Sequence, residues 1–272
     1  MSVCWLSGAF VEVARARIDP SDRGFTLGDG IFETIRAEAG APAHAGRHLA
    51  RLHHGATLLG IEIPFDDQTL HEAMCVVLAQ NALASAALRL TLTRGPAARG
   101  VLPPTTTQPT ILISAGPLPP PAPPARVIVC QRTRRNELSP LAAIKSLNYL
   151  DGILARMEAT AAGADDALLL NTRGRVAEAT AANIFLHVDG NWITPPVQDG
   201  ALPGIGRALL LERGVATELC VSPETLRRCD AALLVNSLST RTVAAIDGRN
   251  LNLGWAWPQD KGLSNKTADE RR

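Results

Sequence analysis

One lysine, Lys145, stands among apolar and small residues in AAIKSLNYLDG (142–152), with no acidic residue before Asp151. A lysine is ordinarily a solvated surface residue. The other reading is an amine desolvated enough to attack a carbonyl. Glu178, in RVAEATAANIF, follows a strand-like run and is flanked by small residues, so a flat ring could approach its carboxylate. Alone, it also fits an exposed strand end. LPGIGRALLLE puts Gly204 and Gly206 at a helix start, leaving the backbone N–H groups of Ile205 and Gly206 open to an anion. A plain helix N-terminus after a proline turn fits that pattern too. Asn236 and Ser237 end an apolar strand in VNSLST and offer further donors, and Arg51 could add a charge-assisted contact.

A nucleophilic lysine, a carboxylate for a ring nitrogen and a phosphate cup are the three demands of one cofactor, pyridoxal 5'-phosphate (PLP). Its aldehyde forms a Schiff base with an amine. A carboxylate that keeps its pyridine nitrogen protonated makes the ring an electron sink.

The elements that must position these residues read as two α/β units. In the first, Ser2–Phe10 and Phe32–Ala37 are strands, as are Leu88–Thr93 and Thr110–Ser114. HAGRHLARLHHGATLLG is an amphipathic helix with Leu49, Leu52, Ala56 and Leu59 on one stripe. Asp67 is placed to cap a second helix, QTLHEAMCVVLAQNAL. The proline-rich GPLPPPAPPA should run as an extended connector. Beyond it, ARVIVCQ is a strand and SLNYLDGILARMEATAAG a helix ending at Gly163. DALLLN and GRVAEA are strands joined at TRG, and NIFLHVDGNWITPP is a hairpin through Asp189-Gly190. GIGRALLLERG and SPETLRRC are helices, and AALLVNSL is a buried strand. The expected fold class is α/β (α+β). It has a small N-terminal α/β domain (1–116), a linker (117–124) and a larger, β-richer C-terminal domain (125–272), with a ligand cleft where the two meet.

The chain has 272 residues, 46% hydrophobic and 19% charged, with a formal net charge of +1. That composition suits a globular protein and speaks against nucleic acid or a membrane surface as the main partner, since both select a basic face. Cys4, Cys75, Cys130, Cys220 and Cys229 form an odd set without a CxxC pair. Zinc and a disulfide framework are therefore not expected, and a cytoplasmic location is. Cys220 and Cys229 read as core residues. No signal peptide or membrane span is expected, and the polar KGLSNKTADERR should fray. HAGRHLARLHH puts His44 and His48 four apart, but without an acidic neighbour it reads as a solvated helix face rather than a metal site.

Taken in order, DRGFTLGDGIFETIR, HLARL, KSLNYLDGILARMEA, DDALLLNTRGRVAEATAANIF, GALPGIGR and VNSLSTRTVAAIDG resemble the fold-type IV PLP enzymes, the class IV aminotransferase family. The resemblance runs from about Ser21 to Gly248. It implies a C-terminal pseudo-barrel, PLP in the cleft and a homodimer. It makes Lys145 the Schiff-base lysine and the base for the substrate Cα proton, and Glu178 the partner of the pyridine nitrogen. Arg51, Ile205, Gly206 and Ser237 become phosphate contacts. Asn183 falls beside the ring, Leu202 against one ring face, and Glu33 where some members have an acid near the lysine. Gly204 and Asn236 complete the cofactor set.

For substrate, Arg99 falls near an arginine that binds carboxylates in D-amino-acid enzymes. This chain has Val101 and Phe32 where those enzymes have histidine and tyrosine. Ser239 and Thr240 are candidates to hydrogen-bond a substrate carboxylate. The reading is an aminotransferase exchanging an amino group between a small, largely apolar amino acid, of branched-chain or D-amino-acid type, and a 2-oxo acid. The alternative is a 4-amino-4-deoxychorismate lyase releasing pyruvate and 4-aminobenzoate. A non-catalytic PLP-binding protein is a third reading.

Overall fold

The computed structural model describes residues 2–254, so the fraying expected of KGLSNKTADERR lies outside the described residues. The first sheet contains β1 (Val3–Leu6), β2 (Ala9–Glu12), β3 (Gly30–Glu38), β4 (Ala41–Pro42), β5 (Ala86–Thr93) and β6 (Thr110–Pro117), in the order β2-β1-β6-β5-β3-β4. The helices α1 (Arg23–Leu27), α2 (Ala45–Leu59) and α3 (Asp67–Gln80) belong to this half. Strand alternation explains its two faces. Ile31, Ile35 and Ala37 of β3, with Leu88, Leu90 and Leu92 of β5, join Leu49, Leu52 and Ala56 of α2 and Leu70, Met74 and Leu78 of α3 in one core. Phe32, Thr34, Arg89 and Thr91 alternate with them onto the other face, paired across β3 and β5.

The second sheet contains β7 (Ala125–Val129), β8 (Asp166–Leu170), β9 (Val176–Ala179), β10 (Asn183–Val188), β11 (Asn191–Thr194), β12 (Thr217–Glu218), β13 (Ala231–Val235) and β14 (Thr240–Ile246), in the order β12-β11-β10-β13-β14-β7-β8-β9, with β15 (Arg249–Asn250) against β14. It curls until β9 returns beside β10, where Ala179 N–H donates to Ala182 O at 2.9 Å. The result is the expected pseudo-barrel, filled by Val127, Leu168, Val176, Ile184, Leu186 and Leu234. Outside it, α4 (Leu150–Ala161) covers β8 through Ala155 and Ala159, α5 (Ile205–Glu212) packs Leu210 on Phe185, and α6 (Pro223–Arg228) is capped by Ser222. Among the described residues no helix is long and apolar enough to cross a membrane.

Four local expectations need correction. Ser2–Phe10 is not one strand but part of a hairpin, because Ser7 and Gly8 take positive φ values of 43° and 101°. The cap of α3 is Asp66, whose side chain accepts from Thr69 N, and Asp67 is already helical. The helix after Lys145 starts at Leu150, not at the serine of SLNYLDG. Its first residues are held extended against β3: Phe32 N–H donates to Lys145 O, and Leu147 N–H to Gly30 O, both at 2.9 Å. Finally, Cys229 is buried but Cys220 is exposed.

Candidate active site

That backbone seam between 145–147 and β3 decides where the lysine points. Lys145 Nζ lies 4.5 Å from the centre of the Phe32 ring and donates to Tyr149 Oη at 3.0 Å. Phe32 and Tyr149 meet edge to face at 5.3 Å. Two adjoining clefts share Lys145, Tyr149, Glu178, Thr180 and Leu202. One extends toward Arg135, the other toward Arg51, Asn183, Gly204, Ile205, Asn236 and Ser237.

Glu178, on β9, is buried and faces this space. One carboxylate oxygen accepts Leu202 N–H at 2.9 Å, and the other lies 3.1 Å from Arg135 Nε. Burial pushes its carboxyl above the usual range, against the pull of Arg135, the Leu202 N–H, Lys145 and Arg207. A cationic N–H facing it would further offset that burial. Arg135 is fixed in turn by Gly200 O and Ala142 O.

At the other end, Pro203 and Gly204 lead into α5 without a side-chain cap, which leaves its first N–H groups without a side-chain partner, and Gly204 and Ile205 line the cleft. Gly204 is dictated by space: a Cβ there would lie 2.1 Å from Asn183 Oδ1. Asn183 ties this turn to β10 by donating to Leu202 O at 2.9 Å. Arg51 reaches over from α2, donating to Pro203 O at 3.0 Å and doubly to Glu33, at 2.8 and 2.6 Å. Glu33 also takes His48 Nδ1 at 2.7 Å. Burial opposes the charge on Glu33, but the bonds from Arg51 and His48 outweigh it and hold the carboxyl below its ordinary range. The histidine-rich helix face is thus not simply solvated, since His48 is buried and has an acidic partner on β3. Asn236 Oδ1 accepts from the backbones of Leu238 and Ser239, and Ser237 Oγ donates to Thr34 O at 2.6 Å.

The proposed substrate residues divide. Phe32 is in the site. Ser239 and Thr240 line a further cavity with Arg36, which shares Ile205, Asn236 and Ser237 with one of the Lys145 clefts. Arg99 is exposed and lines neither Lys145 cleft. Arg94 is buried and structural: it pairs with Asp29 and donates to the Leu59 and Gly60 carbonyls that end α2.

Three residues escaped sequence reasoning. Tyr149 had a signal, being the chain's sole tyrosine, four residues past the lysine. Arg89 had a weaker one, the single charge in the alternating run LRLTLT; its guanidinium lies 3.8 Å over the Phe32 ring. No carboxylate pairs with it among the described residues, and desolvation works against its charge. Arg135 had none, since nothing in QRTRRNEL separates it from Arg132 and Arg134.

The model of the amino-transferase class IV family matches residues 30–246. The chain belongs to that family. A putative branched-chain-amino-acid aminotransferase of Methanocaldococcus jannaschii is 35% identical, covering 98% of this chain and 96% of its own. The aminodeoxychorismate lyase of Bacillus subtilis is 28% identical, over 86% and 83% of the two chains. The T.th. branched-chain amino acid aminotransferase, solved with N-(5'-phosphopyridoxyl)-L-glutamate, superposes with a TM-score of 0.84 at 29% identity, over 94% of this chain and 89% of that one. The fold is therefore fold-type IV and the cofactor of this family member is PLP. The residues present fit it: a lysine amine, a buried carboxylate lining the same cleft, and a side-chain-free cradle at Gly204 ahead of helix N–H groups that no side chain caps.

Proposed function

We propose that this chain is an aminotransferase exchanging an amino group between a small, largely apolar amino acid and a 2-oxo acid, with Lys145 as nucleophile and base. The observation that carries it is Lys145 Nζ set between Tyr149 Oη and the Phe32 ring, with buried Glu178 lining the same cleft. The bound cofactor supplies an aldehyde for the amine and a protonated ring that draws electrons from the substrate Cα. Lys145 is the amine that would hold the cofactor through its aldehyde, and as a free amine it would move the substrate Cα proton. Tyr149 orients the amine through its hydroxyl. Arg135 and the Leu202 N–H keep the Glu178 carboxylate aimed, and Glu33 and His48 brace Arg51 toward the phosphate. Arg89 offers an acid-free cation to a substrate carboxylate, a bond worth about 1.5–3 kcal/mol.

A second reading, the lyase, is favoured by the similarity to the Bacillus subtilis enzyme, because loss of the Cα proton needs the same residues. We also propose that two copies associate. Phe25, Val101, Leu102 and Leu150 are each more than 70% exposed. Their segments are tied together, since Arg23 donates to Gly100 O and Val101 O, and Asn148 to Gly28 O. Such a patch is characteristic of a protein interface.

The deciding experiment mixes the PLP-loaded protein with L-leucine, D-alanine or aminodeoxychorismate, with no 2-oxo acid present, and follows the absorption spectrum. Conversion to the pyridoxamine form by an amino acid is expected, and its loss in Lys145→Ala. Pyruvate release from aminodeoxychorismate with the aldehyde form kept would establish the lyase instead. No reaction with any donor would sink both readings.

A further inference from the structure

Both partners of Glu178 depend on one short segment, 199–202. Leu202 donates its N–H to one carboxylate oxygen at 2.9 Å. Arg135 Nε lies 3.1 Å from the other oxygen and donates to Gly200 O, also at 3.1 Å. Gly200 takes a φ of 96°, and a Cβ added to it would lie 3.3 Å from the Arg135 Cβ, so the segment also packs on the stem of that arginine. A displacement of 199–202 therefore reaches both partners of Glu178 at once.

The segment is too short to hold itself. It leaves a single 3-10 turn, Val197–Asp199, closed by Asp199 N–H to Pro196 O at 3.0 Å and Gly200 N–H to Val197 O at 2.9 Å. The turn between β8 and β9 holds it from outside. Asn171, fully buried, donates Nδ2 to Asp199 O at 3.1 Å and to Asp199 Oδ1 at 3.4 Å. Arg175 Nε lies 3.3 Å from the same Oδ1. Asn171 is itself locked, since its Oδ1 accepts the N–H groups of Arg173 and Arg175 at 3.0 and 2.9 Å. One hairpin thus grips the segment at its turn and, two residues into β9, presents Glu178 to that same segment.

Asp199 carries this clamp at a cost. Its side chain is 3% exposed, and its Oδ2 has no hydrogen-bond partner among the described residues. A buried carboxylate held by one arginine recovers its desolvation only in part, and an unpartnered buried oxygen calls for a reason other than stability. We infer that Asp199, with Asn171 and Arg175, is a positioning residue for Glu178, fixing the segment that aims the Glu178 carboxylate at the cofactor's ring nitrogen. The inference rests on the reading of Glu178 as the partner of that nitrogen.

The test loads wild type and variants with PLP isotopically labelled at its ring nitrogen and reads the nitrogen NMR shift near neutral pH, without substrate. Glu178→Gln sets the scale, because an amide cannot hold the ring proton as a carboxylate does. Asp199→Leu, which removes the clamp, should displace the signal from the wild-type position toward that of Glu178→Gln. Asp199→Asn keeps the shape and an acceptor, and should return most of the way to wild type. Should Asp199→Leu not fold, Arg175→Met loosens the clamp from its partly exposed end and should displace the signal in the same direction. Asp230→Asn is the control: it removes the partner of buried His187, at the end of β10 away from Asn183, and should leave the signal in place. A signal unmoved by loss of the clamp but displaced in Glu178→Gln would overturn the inference and leave the reading of Glu178 intact. A signal unmoved in Glu178→Gln would remove that reading and the inference with it. Equal displacement in Asp230→Asn would also overturn it, because loss of any buried pair would then suffice. The readout needs no turnover and does not depend on which reaction Lys145 performs.

Discussion

Glu33 holds two basic partners, Arg51 and His48, that have no other carboxylate in reach among the described residues, and all three side chains are at least nine-tenths buried. Removing one member of such a group strands the others, which typically costs about 3–5 kcal/mol. Glu33→Gln should therefore lower thermal stability by that order, and weaken PLP because Arg51 loses its brace. The same carboxylate sets an acid limit. Its folded pKa lies below the ordinary value, so its contribution is complete above roughly pH 4.3 and disappears as pH falls through the depressed value. Melting temperatures of wild type and Glu33→Gln measured from pH 6 down to 3 should converge at the acid end. A constant gap across that range would mean the Glu33 charge is not what stabilises. Glu178 runs the other way. Burial raises its pKa, against the pull of Arg135, the Leu202 N–H and Lys145.

At the scale of elements, the turn before α5 shows how tightly one position is set. Gly204→Ala would drive a methyl into Asn183 Oδ1, and Asn183 cannot yield without releasing Leu202 O. Overpacking of this kind costs about 1–3 kcal/mol. The variant should show that loss, with PLP affinity reduced at least about tenfold by equilibrium dialysis. Gly46→Ala meets nothing within 4 Å and should leave both unchanged. Much of this architecture is legible in the chain: the alternation of Phe32–Ala37, the stripe of α2, the Asp189-Gly190 hairpin and the glycines around Ile205. Lys145, Glu178 and the α5 helix start are each ambiguous as motifs; their order along the chain, which resembles the class IV aminotransferases, is what groups them. The run SLNYLDGIL misleads because its helical periodicity is overridden by backbone pairing of Lys145 and Leu147 with β3, a contact more than a hundred residues distant. Arg135 is illegible for a related reason, since only the curl of the second sheet brings it to Glu178. Ser239 and Thr240 sit in the expected segment, on a turn folded by the Asn236 side chain, and line a cavity that adjoins the Lys145 cleft at Ile205, Asn236 and Ser237.

For the whole molecule, the exposed apolar side chains of α1, the Val101–Leu102 loop and the start of α4 predict association. Light scattering should give twice the chain mass of 28.8 kDa. Phe25→Asp combined with Leu102→Asp should return the mass to that of one chain, whereas a monomeric wild type would refute the proposed dimer. One more property belongs to the molecule as a whole. Its sole tyrosine hydrogen-bonds the candidate nucleophile. Growth on fluorotyrosine would therefore place fluorine at a single address, and one-dimensional fluorine NMR would yield one resonance. That signal would report the state of Lys145 in the intact protein, with no spectral assignment and no engineered label.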